Sequence, residues 1–155
     1  FKMFPEEITN VSTSENTKYN IISNSSHIRK TPNYNYAQKN IILKNGDVDL
    51  VDNYKNVQNW IIKFFRTPID IYKIYSGTGF GTSAYKLIGK KSISGIEYAQ
   101  IKKEVEEGFK SNPNILSVED FNIIKDQKTL SVYVKVKLQD GYILEEKTEI
   151  YSIKR

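Results

Sequence analysis

At 155 residues the chain is long enough for one domain with a modest core and too short for two unless both are very small. It has no cysteine and a single histidine, His27, which excludes disulfide scaffolds, cysteine zinc sites, thiol nucleophiles, histidine triads and multi-histidine metal centres within one chain. The net charge of +5 is dispersed, and its densest group, Lys86, Lys90 and Lys91, is broken by Leu87, Ile88 and Gly89, so a solvated surface or an acidic protein partner is expected rather than nucleic acid.

Residues 1–38 carry Asn, Ser, Thr, Lys and Tyr with scattered Ile8, Val11, Ile21, Ile22 and Ile28, and show neither helical nor strand periodicity. Such a segment buries too little apolar surface to offset backbone ordering. With Phe4, Tyr19, Tyr34 and Tyr36 as anchors, it reads either as an extended N-terminal arm that becomes ordered on a partner or as a floppy tail. Residues 39–155 read as a single α+β domain.

That domain opens with a short strand, Asn40-Ile41-Ile42-Leu43-Lys44, closed by the turn dipeptide Asn45-Gly46. Val51, Tyr54, Val57, Ile61, Phe64 and Phe65 then recur at three- and four-residue spacing beside Trp60, which predicts an amphipathic helix over residues 50–66. Arg66-Thr67-Pro68 ends it, because the proline ring disfavours helical geometry at Thr67. Residues 69–75, up to Tyr75, suggest a short extended run. A glycine turn follows, including Gly79 and Gly81, and then a brief helix over residues 83–88 closed by Gly89.

Ser94-Gly95-Ile96-Glu97 has the form of a capping box, in which Ser94 and Glu97 satisfy free N–H groups at a helix start. Tyr98, Ile101, Val105 and Phe109 line one face of the helix that follows, the third. Past Pro113 the period becomes two. Residues 115–124 read as a strand bulged near Asp120, and Leu130, Val132, Val134, Val136 and Leu138 alternate with polar residues along a second. Asp140-Gly141 signals a type I′ hairpin into a last strand over residues 142–153. The C-terminal sheet is thus a three-stranded antiparallel meander. A strict two-residue turn would set Val136 opposite Glu145 and Lys135 opposite Glu146; either a bulge repairs that register or a charged edge strand is left, whose free backbone groups are simply blunted by charge or open to addition of another chain.

Tests for chemistry come out negative. Gly77, Gly79 and Gly81 lack the Gly-Lys-Ser/Thr of a phosphate loop, and no G-x-G-x-x-G is completed. Among Asp70, Glu97, Glu104, Glu106, Glu107, Glu119 and Asp120, none has an apolar sequence environment that would raise a pKa for acid/base work. Eleven tyrosines against one tryptophan suit a protein interface.

The order of features, and above all "QNWIIKFFRTPIDIYKIYS", "LIGKK" and "SNPNILSVEDF", resembles the baseplate wedge and sheath-initiator family of contractile phage tails, sometimes labelled lysozyme-like, in its Gram-positive phage branch. The resemblance covers residues 38–150. It implies a non-enzymatic virion structural protein with no cofactor. Several copies would surround the tail axis at the baseplate, assembled in the bacterial cytoplasm. Partners would be other wedge subunits, the tail sheath protein and tube or hub proteins, with neither nucleic acid nor membrane. Assembly contacts are expected at Asn112, Pro113, Asn114 and Ile115, at Tyr142, Leu144, Ile150 and Tyr151, and at Tyr34 and Tyr36. Structural roles fall to Trp60, Arg66, Pro68, Tyr75, Gly79, Gly81, Ser94 and Glu97. The family's Glu-Pro-Arg is Asn112-Pro113-Asn114 here, so any salt bridge from that motif is lost. The rival readings are a peptidoglycan-cleaving enzyme and a basic nucleic-acid-binding module.

Overall fold

The computed structural model describes residues 30–51, 53–126 and 128–151. Most of the expected arm lies outside them. The described part of it, together with the segment up to Val51, forms six two-residue strands: Thr31–Pro32 (β1), Tyr34–Asn35 (β2), Asn40–Ile41 (β3), Leu43–Lys44 (β4), Asp47–Val48 (β5) and Leu50–Val51 (β6). They pair as β1–β6, β2–β3 and β4–β5, all antiparallel. The pairs meet in a ring of three backbone hydrogen bonds. Asn33 N–H donates to Asp49 O (2.8 Å), Asp49 N–H to Ile42 O (2.9 Å) and Ile42 N–H to Asn33 O (2.8 Å). The single strand expected over residues 40–44 is therefore split at Ile42, whose N–H and C=O serve two different neighbours. Asn45 and Gly46 form the expected turn, both with positive φ (54° and 85°).

Helix α1, Asn53–Arg66, starts later than its apolar period, because Leu50 and Val51 are held in β6. Val57, Ile61, Phe64 and Phe65 are its buried face. Beyond Arg66 the Thr67 N–H turns to Phe64 O (3.3 Å), the carbonyl for which Pro68 has no N–H, and the Thr67 hydroxyl takes its place on Lys63 O (2.7 Å). The segment that follows is not the expected extended run. Residues 68–82 make a closed loop with a 3₁₀ turn at Lys73–Tyr75, pinned at its base by Ile69 N–H to Thr82 O (3.2 Å) and Thr82 N–H to Thr67 O (3.0 Å). At that base Gly81 has φ 111°, and a Cβ there would stand 2.6 Å from Thr67 O.

Among the described residues there are two α-helices, not three. The helix expected over residues 83–88 is a 3₁₀ turn, Ala84–Leu87, too short to nucleate an α-helix and organised from outside. The Glu104 carboxylate accepts from Ser83 N–H (2.8 Å) and Ser83 Oγ (2.8 Å). Helix α2, Gly95–Phe109, carries the capping box: Ser94 Oγ accepts from Glu97 N–H, and the Glu97 carboxylate accepts from Ser94 N–H. It buries Ile101, Val105 and Phe109.

The sheet comprises Ile115–Lys125 (β7), Leu130–Leu138 (β8) and Ile143–Ile150 (β9), in the order β7-β8-β9 and antiparallel throughout. Both helices cover one face, α1 over β9 and α2 over β7. Along β8 the alternation is complete, with Leu130, Val132, Val134, Val136 and Leu138 buried. The pairing of β7 with β8 shifts register between Val118 and Asp120, as expected, and also between Ile115 and Ser117. Trp60, Phe64, Phe80 and Phe109 interlock between the two helices and the closed loop, with Phe64 and Phe109 centroids 5.0 Å apart and edge-on. Gly108 leaves the room that the Phe64 ring takes there.

Candidate assembly interface

The turn between β8 and β9 sets the register of the outer strand. Leu138 N–H donates to Tyr142 O (2.8 Å) and Gly141 N–H to Leu138 O (2.9 Å), which encloses three residues, Gln139, Asp140 and Gly141. Only Gly141 has positive φ (86°), so this is a three-residue hairpin ending in a glycine bulge and not the expected type I′ turn. The added residue moves the pairing by one. Val136 faces Leu144, and Lys135 faces Glu145, with Lys135 Nζ 3.4 Å from the carboxylate.

In an antiparallel ladder residues alternate between turning both backbone groups to the neighbour and turning both away. Anchored at Leu138–Tyr142, that alternation directs the N–H and C=O of Leu144, Glu146, Thr148 and Ile150 to β8 and those of Ile143, Glu145, Lys147 and Glu149 outward. No described residue pairs with the outward set. Leu144 and Ile150, candidates from sequence, turn their side chains to the helix layer, so the free edge is formed by their neighbours.

Helix α1 runs parallel to β9 and is joined to the strand and to the residues at its two ends by polar and aromatic contacts. The rings of Tyr54 and Tyr142 stack with centroids 4.0 Å apart, and Tyr54 OH donates to Asp140 Oδ2 (2.8 Å). The Asp140 carboxyl is held below its usual range by the Tyr142 N–H and by that hydroxyl. Gln58 Nε2 donates to Glu146 Oε2 (2.6 Å), while burial, outweighing Gln58 and Lys55, pushes the Glu146 carboxyl up. At the far end the Arg66 guanidinium carbon lies 4.8 Å from the Tyr151 ring centroid and 4.9 Å from that of Tyr36. Tyr36 OH also donates to Asn59 O (3.0 Å), and burial raises its phenol. Arg66 thus ties the small β-module to the end of β9. Tyr34 meets Tyr36 edge-on, with centroids 4.9 Å apart.

Asn112, Pro113 and Asn114 lie in the turn from α2 to β7. Asn112 Oδ1 accepts from Asn114 N–H (3.0 Å), and Asn114 O accepts from Gln139 N–H (3.0 Å), so the junction fastens the start of β7 to the β8–β9 turn. Both asparagine side chains are buried and Ile115 is in the core, while Pro113 lines a shallow cleft beside Trp60. Among the carboxylates, Glu97 is fixed by Lys90 and Ser94, which hold it down to about 2. Glu119 accepts from Ser117 Oγ (2.5 Å) at the surface. Tyr75 packs on Phe80, and Gly79 borders open space in the closed loop.

A family model described as contractile injection system sheath initiator matches residues 30–141. The chain belongs to that family. Comparison with curated proteins found no match. The sheath-initiator match begins at the three-way β-module and takes in both helices, β7 and β8, then stops at Gly141, in the turn before β9. It makes this chain a structural component of a contractile injection system, acting at the tail baseplate. For the sheath initiator described here, the free edge of β9 is a feature of its own geometry.

Proposed function

We propose that this sheath initiator joins the inner baseplate to the first sheath layer by accepting a strand of the sheath protein on the outer edge of β9. The observation that carries the reading is the row of outward N–H and C=O groups at Ile143, Glu145, Lys147 and Glu149, on a strand backed by α1 and bonded along its other side to β8. A partner pairing there gains main-chain hydrogen bonds without any rearrangement of the fold. The β-module supplies the second contact, toward the wedge subunits. It presents Tyr34, Ile41, Leu43, Val48 and Leu50 to solvent, and none of its described residues is buried. Large apolar groups in such density on so small a unit mark an interaction surface.

The role is taken to be non-enzymatic. A peptidoglycan-cleaving reading needs one carboxyl kept protonated near neutral pH. Glu97 is pulled the other way, Glu119 is exposed beside Ser117, and Glu146, whose carboxyl burial does push up, is engaged by the Gln58 amide in the contact between α1 and β9.

The test is Lys147→Pro. Proline removes the outward N–H and spares every bond to β8, a position where edge strands tolerate it. The variant is expected to fold and to abolish sheath assembly, whereas Lys147→Ala, which removes the side chain and keeps the outward N–H, leaves assembly intact. Normal sheaths on Lys147→Pro baseplates would refute strand addition at this edge.

A further inference from the structure

Arg66 is a cation without a counter-ion among the described residues. Its guanidinium lies over the rings of Tyr36 and Tyr151, contacts that use none of its five N–H donors. Of those donors, one on Nη1 reaches Tyr36 O at the long distance of 3.5 Å, and Nε is buried with no partner. A partly buried guanidinium is normally met by a carboxylate in its own plane.

The location of Arg66 says where that carboxylate would come from. Gln58 faces β9 through Glu146. Eight residues on, at about 100° per residue, Arg66 lies roughly 80° past Gln58 around α1, on the side opposite buried Val57, Ile61 and Phe64. It therefore reaches past the outer edge of the sheet, beside the end of β9, where Tyr151 follows Ile150. A strand added to β9 would run under it. On that flank helix α1 contributes Lys55 and Arg66 and no acidic residue, while Lys63 turns to the rings of Tyr75 and Phe80, so the flank over that track is cationic.

Building on strand addition at β9, we propose that Arg66 selects the incoming strand by receiving an Asp or Glu side chain from the face of that strand turned toward α1. The Tyr36 and Tyr151 rings hold the guanidinium in place, so little side-chain freedom is lost when the carboxylate arrives.

The test measures binding of the monomeric sheath subunit from the same particle to the full chain, at low and high NaCl, for wild type, Arg66→Gln and Arg66→Lys. Hydrogen exchange at β9 is followed in parallel. Expected are an affinity about tenfold lower in Arg66→Gln with a flatter salt dependence, and partial recovery in Arg66→Lys. The amides of Ile143, Glu145, Lys147 and Glu149 should become protected in all three. Wild-type affinity and salt dependence in Arg66→Gln, with that protection intact, would overturn the role of Arg66 and leave strand addition standing. No protection of β9 in wild type would overturn strand addition and this inference with it. If Arg66→Gln fails to fold, wild-type chain is tested against sheath subunits whose Asp and Glu residues in the co-protected segment are neutralised one at a time. One substitution should weaken binding about tenfold, and none doing so overturns the proposal.

Discussion

Gly108 lies inside α2, where glycine ordinarily weakens a helix, and its missing side chain leaves room for the ring of Phe64. A Cβ there would come within 2.4 Å of that ring. Phe64 is itself fully buried among Trp60, Phe80 and Phe109 and has nowhere to retreat. Gly108→Ala should therefore lower stability by about 1–3 kcal/mol despite its better helix propensity, measured as a reduced midpoint in urea at unchanged slope. Periodicity marks apolar faces and is silent about glycine packed against a ring from another helix, so this position was not legible in the sequence. The α2 start was legible, since the capping box needs only local spacing. With its carboxyl pinned at about 2, Glu97 binds fewer protons folded than unfolded. Its contribution is present above pH 4.5 and is lost as pH falls toward about 2. The Glu97 carboxyl should titrate near 2 by NMR and move upward in Lys90→Ala; a midpoint near 4.5 in wild type would contradict the Lys90 and Ser94 contacts.

Elements with many consistent residues were readable, and those decided by one residue were not. Strand β8 alternates over its whole length, and α1 has its apolar stripe and proline stop, so both emerged from pattern alone. The β8–β9 turn depended on whether Asp140 takes positive φ, a choice dipeptide preference leaves open between two- and three-residue loops. One residue there changes which side chain faces Lys135 and which side chains of β9 turn to the helix layer. The 3₁₀ turn at Ala84–Leu87 was read as a helix because Glu104, the group that organises it, lies on another element. At this scale the expected separation is between neighbours on β9. Lys147→Pro should keep the melting transition, whereas Thr148→Pro removes a bond to β8 at a buried site and should unfold the sheet.

Taken whole, the molecule is a two-layer body with a small β-module attached. Every residue of the buried cluster, from Val57 to Ile150, belongs to the body. The described contacts of the module with α1 are polar or aromatic, among them Thr31 Oγ1 with Asn56 Oδ1 (3.0 Å) and Tyr36 with Asn59 and Arg66. In the isolated chain the amides of Ile42 and Asp49 should thus exchange much faster than that of Val134, and assembly should slow them; equal protection in the free chain would show that the module is stabilised without partners. The body's α+β architecture was legible because its core follows periodic patterns. The module was not, because six two-residue strands joined by three backbone bonds leave no period to read. Strand addition at β9 is tested most directly by an electron cryomicroscopy map of the assembled baseplate. The account requires an extended segment of a sheath subunit within hydrogen-bonding distance of Ile143, Glu145, Lys147 and Glu149. A β9 edge that faces solvent in the assembled particle, or is covered by a segment of its own chain, would contradict it.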